Sequence, residues 1–165
     1  MENGLTFVNM KKIKFFIIIF IISFSNIFAD NWIDISNIHE YDGLIYLRNS
    51  SIPFTGKIKD EKDRLYYKDG KPNGKWITFF QNGNIKSIEN WQDGKLNGKY
   101  IIYQENGKKV MQTRYLNGKD NGEYFLFHEN GMPQVKGSFK NGKPSGIWKY
   151  YNSSGKLKGK ADYTN

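Results

Sequence analysis

The 165 residues carry 25 Lys and Arg against 16 Asp and Glu, a formal net charge of +9, and no cysteine. That length supports one modest domain, and the lack of cysteine excludes disulfides, thiolate metal sites and a lipid-modified N-terminal cysteine. The basic balance admits an anionic partner, but no nucleic-acid recognition motif accompanies it.

Residues 1–9 precede a basic stretch, and Met10 reads as the true initiator. Lys11, Lys12 and Lys14 then lead into the apolar run Phe15 to Ile22, and Ala29 supplies a small residue at its end. The run is short for a membrane span and suits an export signal cleaved after Ala29. Ile27 is bulky for its position, so an uncleaved membrane anchor is the alternative. The expectation is an exported protein, periplasmic, at the cell surface or secreted, with residues 1–29 removed. The mature chain then holds 22 basic and 15 acidic residues, a net +7. The excess reads as lysines spread through turns, such as Lys71, Lys95, Lys119 and Lys143, where they keep sheet edges solvated.

Residues 30–66 do not share the spacing of residues 67–165. Gly43 to Arg48 and Ile52 to Lys59 read as strands, and the segment is expected to form an N-terminal cap with a degenerate repeat.

From Tyr67 the chain repeats every 24 residues. YKDGKPNGKWITFFQNG, WQDGKLNGKYIIYQENG, YLNGKDNGEYFLFHENG and FKNGKPSGIWKYYNSSG begin at Tyr67, Trp91, Tyr115 and Phe139, and Tyr163 opens a fifth copy. Residues 67–165 are therefore four repeats and the start of another. Three glycine columns run through them: Gly70, Gly94, Gly118 and Gly142; Gly74, Gly98, Gly122 and Gly146; Gly83, Gly107, Gly131 and Gly155. Nearly all follow Asp or Asn, the pairing that hairpin turns favour because both central residues adopt positive φ, so all twelve read as turn glycines.

Between the turns lie short segments rich in aromatic and β-branched residues, which read as strands, two per repeat. The expected fold is all-β: an elongated, single-layer antiparallel meander of stacked β-hairpins. Its rings form three columns, namely Tyr67, Trp91, Tyr115, Phe139 and Tyr163; Trp76, Tyr100, Tyr124 and Trp148; and Phe79, Tyr103, Phe127 and Tyr151. The second and third columns are three positions apart and so face opposite sides of the sheet. One glues the stack and the other is free to meet a partner. Trp76, Tyr100, Tyr124 and Trp148 are nominated as partner-binding aromatics, since Tyr and Trp dominate binding hot spots.

Catalytic patterns are weak. His39 and His128 lack the partners a general base needs, and no second histidine follows His128 at zincin spacing. The stretch Gly137 to Pro144 matches most of a phosphate-binding loop, but Pro144 stands where Ser or Thr would reach magnesium. Ser145 occupies the turn position of Asn73, Asn97 and Asn121, without the spacing of a nucleophile elbow. Asn49-Ser-Ser and Asn152-Ser-Ser match glycosylation sequons only by pattern. No catalytic, cofactor or metal site is expected.

The recurring aromatic-x-Asn/Asp-Gly-Lys-x-Asn/Ser-Gly unit resembles the bacterial MORN-type repeat in its variant form. Together with the entry Pro53-Phe54-Thr55-Gly56, it is similar to the YwqK family of antitoxins of toxin-antitoxin systems, over roughly residues 41–165. The resemblance implies stacked hairpins and a non-enzymatic scaffold that binds a partner protein, a toxin being one candidate. Binding of an envelope glycan or anionic lipid is the alternative.

Overall fold

The computed structural model describes residues 31–164. The expected initiator at Met10 and export signal ending at Ala29 lie outside the described residues. Among the described residues sixteen strands succeed one another in chain order. The first part contains β1 (Trp32–Asp34), a 3-10 turn (Ile35–Asn37), β2 (Ile38–Tyr41), β3 (Leu44–Leu47), β4 (Gly56–Asp60), β5 (Asp63–Lys68) and β6 (Lys71–Pro72). The middle contains β7 (Gly74–Phe79), β8 (Ile85–Gln92), β9 (Lys95–Leu96), β10 (Gly98–Tyr103) and β11 (Lys109–Leu116). The rest are β12 (Lys119–Asp120), β13 (Gly122–Phe127), β14 (Pro133–Lys140), β15 (Lys143–Tyr151) and β16 (Leu157–Tyr163).

The expected all-β hairpin meander is present, in one 14-stranded sheet whose main path runs β1-β4-β5-β7-β8-β10-β11-β13-β14-β15-β16. One pair departs from antiparallel order: β1 lies parallel to β4. β2 and β3 form a separate two-stranded sheet. Ile52 to Thr55, read as part of a strand, holds only an isolated bridge between Tyr46 and Pro53. Pro53 lacks the N–H a ladder needs, which limits pairing there.

Asp69-Gly70, Asp93-Gly94, Asn117-Gly118 and Asn141-Gly142 each place two consecutive residues at positive φ, with 49° and 79° at Asp93 and Gly94. This is the two-residue hairpin geometry whose twist matches the flanking strands. Each turn is also tied to the one before it. The N–H groups of Gly94, Gly118 and Gly142 donate to the carbonyls of Pro72, Leu96 and Asp120 at 2.8–2.9 Å. The glycines at 83, 107, 131 and 155 close the opposite turns, where Gly83 N–H donates to Phe80 O at 2.9 Å.

The middle glycine column corrects the sequence reading. Gly74, Gly98 and Gly122 open strands β7, β10 and β13, and Gly146 lies inside β15. The chain folds back through a two-residue strand and is then re-aimed into a six-residue one at a glycine with φ of 116° in Gly98. The first three repeats thus hold a short third strand, which in the fourth is merged into β15. Each repeat also carries one extra residue opposite the β7-type strand, at Lys86, Val110, Gln134 and Lys158, where the register shifts. Such bulges strengthen local twist, and here they recur every 24 residues.

The N-terminal end is sealed by Phe54, Ile58 and Leu65, against which Ile33, Ile38, Ile45, Leu47, Tyr67 and Trp76 pack. Gly70 belongs to this seal. Its N–H donates to Phe54 O and its carbonyl accepts from Ile45 N–H. A Cβ at Gly70 would come within 2.9 Å of Leu44 Cβ, so the cap seats directly on the first turn.

Because each repeat meets only its neighbours, removal of residues 91–114 should leave one cooperative urea transition with a smaller m-value. Removal of Ile101 alone should abolish that cooperativity, because every later side chain of its strand changes face. Urea denaturation followed by tryptophan fluorescence measures both.

Candidate functional site

Strand register places the first two ring columns on one face. Trp76 pairs with Glu89, Tyr100 with Thr113, Tyr124 with Gly137 and Trp148 with Ala161. In the next row Trp91, Tyr115, Phe139 and Tyr163 each stand across from a glycine, at 74, 98, 122 and 146. Except at Glu89, rings therefore alternate with small residues, and they fall diagonally against one another. Tyr67 and Trp76 lie 4.9 Å apart, Trp76 and Trp91 5.3 Å, and Tyr100 and Tyr115 5.8 Å. Tyr124 and Phe139 are separated by 5.4 Å, and Phe139 and Trp148 by 4.9 Å. Pairs of this geometry add about 0.5–1.5 kcal/mol each beyond their buried area.

The four nominated aromatics occupy different settings. Trp76 packs against the cap core, and its indole N–H donates to Tyr66 O at 2.7 Å. Trp148 is only 8% exposed, which corrects its nomination as an open contact. It lies over Gly137, where an added Cβ would come within 2.3 Å of the ring, and its N–H donates to Ser138 O. Tyr100 and Tyr124 are half-buried, with rings that tile the centre of the face. Around them Thr113 is buried and donates through Oγ1 to Asp120 Oδ1 at 3.1 Å. Glu89 accepts from Ser87 Oγ and Trp91 Nε1, each at 2.9 Å.

The third column lies on the opposite face, as the odd offset requires, because β7, β10 and β13 alternate without interruption. That face carries a second pattern, which sequence inspection missed. Successive partners across the sheet are Arg64, Ile77, Ile88, Ile101, Gln112, Phe125, Lys136, Lys149 and Lys160. The row changes from apolar to basic as it nears β16. Comparison of the repeats by column, Ile77, Ile101, Phe125 and Lys149 against Ile88, Gln112, Lys136 and Lys160, contains the signal. Lys71, Lys95 and Lys119 stay spread over separate repeats, but part of the lysine excess is gathered at the C-terminal end. Between Pro133 and Thr164 there are seven lysines and one acid, Asp162, a net +6 of the chain's +9.

Neither histidine stands in a reactive group. His39 stacks on Tyr46 with centroids 5.5 Å apart, and His128 Nε2 lies 3.0 Å from Tyr151 O. Among the described residues no group of three His, Cys, Asp or Glu converges as a metal site would require.

Burial pushes the phenols of Tyr67, Tyr100, Tyr115 and Tyr124 above the ordinary value of 10.0, helped by Glu40 at Tyr67, Glu89 at Tyr100 and Asp120 at Tyr115 and Tyr124. A raised folded value means the native state holds these protons more tightly than the unfolded one. Their contribution is full below pH 10 and disappears as pH rises through the folded values. Melting temperature should therefore fall on alkaline titration above pH 10, and less steeply in a Tyr100→Phe/Tyr124→Phe variant. Gly137→Ala should cost about 1–3 kcal/mol by forcing the Trp148 ring aside. Gly159→Ala, with nothing within 4 Å, should be near neutral by the same chemical denaturation.

No curated relative matches the chain. The profile of the MORN repeat variant family matches residues 72–93, 96–117, 120–141 and 144–165. The first three matches begin in the two-residue strands β6, β9 and β12 and end at Asp93, Asn117 and Asn141 in the next turn, so the family's unit is the ring-and-glycine hairpin described above. With four copies covering more than half of its length, the chain belongs to the MORN repeat variant family.

Proposed function

We propose that this chain is a non-enzymatic, exported scaffold that binds a partner protein through the aromatic face of its sheet. The observation that carries this reading is the row of rings on one face from Trp91 to Tyr163, paired as Tyr100 with Tyr115 and as Tyr124, Phe139, Trp148 and Tyr163 in sequence. Past the β2–β3 hairpin, no second layer covers it among the described residues, and Tyr163 is 41% exposed at its end. Half-buried Tyr and Trp rings held rigid by their neighbours give contact area at little entropic cost.

The similarity to YwqK-family antitoxins suggests an inhibitor- or immunity-type role, with a toxin as one partner. The segment Lys11 to Ala29 favours action outside the cytoplasm. No cofactor and no nucleic acid enter this reading. An envelope glycan or anionic lipid is the competing partner class, and the lysine row favours an anionic one.

Affinity capture from the native envelope fraction, analysed by mass spectrometry, tests the reading. Wild-type protein should retain one stoichiometric protein through moderate salt, and Tyr100→Ser/Tyr124→Ser should lose it. Recovery of polymer or lipid alone, or equal retention by the variant, overturns the proposal.

A further inference from the structure

We infer that the face opposite the rings, at its β13–β16 end, is a binding site for a linear acidic polysaccharide, with carboxylates seated on Lys136, Lys149 and Lys160. The inference is independent of the protein partner, because strand alternation puts these lysines on the side away from Trp148 and Ala161.

Register aligns the three lysines. Lys136 is the direct partner of Lys149, and Lys149 of Lys160, so three exposed lysines leave one face from neighbouring strands whose backbones lie about 4.8 Å apart. Like charges directly opposite one another destabilise a sheet. No ion pair offsets them: Lys149 and Lys160 have no hydrogen-bond, ionic or ring partner among the described residues, and Lys136 has only the Tyr151 ring, 5.8 Å from its ammonium.

The fold does not require lysine here. Equivalent positions in earlier repeats hold Ile77, Ile88 and Ile101, with Ile101 buried at 5% exposure. Protection of an open sheet edge accounts for Lys158 and Lys160 on β16. It does not account for Lys136 and Lys149, which lie on strands paired on both sides.

The surroundings select the ligand class. A groove of about 500 Å³ is lined by Lys136 and Lys149 together with Phe125, Ile147, Ser145 and Tyr151. Ile147 is 53% exposed within it. Apolar walls and hydroxyls beside exposed cations suit a sugar ring, which has an apolar face, hydroxyl groups and a carboxylate. A bare phosphate chain would use only the cations. The groove also carries a carboxylate of its own, Glu123, and Asp162 stands across from Ile147, so a polyanion would seat on the Lys136–Lys149–Lys160 side of it.

The test is isothermal titration of the full chain with polygalacturonate oligomers, with inorganic polyphosphate and dextran as comparisons. Binding of polygalacturonate should weaken at least tenfold in Lys136→Gln/Lys149→Gln/Lys160→Gln, and its salt dependence should flatten. The turn variant Lys71→Gln/Lys95→Gln/Lys119→Gln, which removes the same charge, should bind within twofold of wild type. Dextran should not bind. Should the triple variant fail to fold, Lys149→Gln alone is read in the same way, with at least a threefold loss expected. Absent binding, equal losses in the row and turn variants, or tighter binding of polyphosphate than of polygalacturonate would each overturn the inference.

Discussion

A sheet one layer thick has nothing to bury its side chains against except its own neighbours. Here that constraint is met by laying rings into gaps left by glycine and other small residues on the adjoining strand. Trp148 shows the limit of the device: flanked by Gly137 and Ala161, it reaches 8% exposure without a second layer above it. Where the facing residue is larger, as Glu89 is beside Trp76 and Tyr100, the rings stay half-buried and the carboxylate takes hydrogen bonds from Ser87 and Trp91. The other requirement is that successive hairpins keep step. The N–H of each turn glycine bonded to a carbonyl of the preceding repeat fixes that step at one end of the strands. Gly94, Gly118 and Gly142 therefore form the turn and link it to the previous one with the same backbone group.

Much of this was legible in the sequence because the repeat is strict. Asp-Gly and Asn-Gly pairs at a constant spacing announce two-residue turns, and the three-residue offset between Trp76 and Phe79 announces two faces. The short third strand was not legible. Asn97-Gly98 looks like Asp93-Gly94 as a dipeptide, yet one re-aims the chain into β10 and the other reverses it; only pairing partners distinguish them. The cap was only partly legible, because β1 pairs in parallel with β4 through a contact between distant residues that no local pattern encodes.

The candidate site was less legible than the fold, for a related reason. Aromatic columns were visible, but exposure depends on the residue across the strand, and Gly137 opposite Tyr124 and beneath Trp148 belongs to no glycine column. The lysine row was hidden by the same logic. Lys136, Lys149 and Lys160 are 13 and 11 residues apart, a spacing that looks irregular along the chain and becomes a straight line only once β14, β15 and β16 are paired.

The two faces differ in how freely they can change. Replacing a ring in the ladder disturbs the gap on one side and the ring on the other, so that face is bound to the stability of the whole stack. On the opposite face the series Ile101, Gln112, Phe125, Lys136 passes from buried apolar to exposed basic within four successive strands, while the ladder continues through Tyr124 to Trp148. Strand alternation makes this separation available in every repeat: odd and even positions are coupled through the backbone but not through side-chain contact. A direct run of like charges lowers stability, and the stack tolerates it because the energy of association lies in the rings beneath. The protein can thus hold a costly cationic surface at one end without altering the residues that keep its hairpins together.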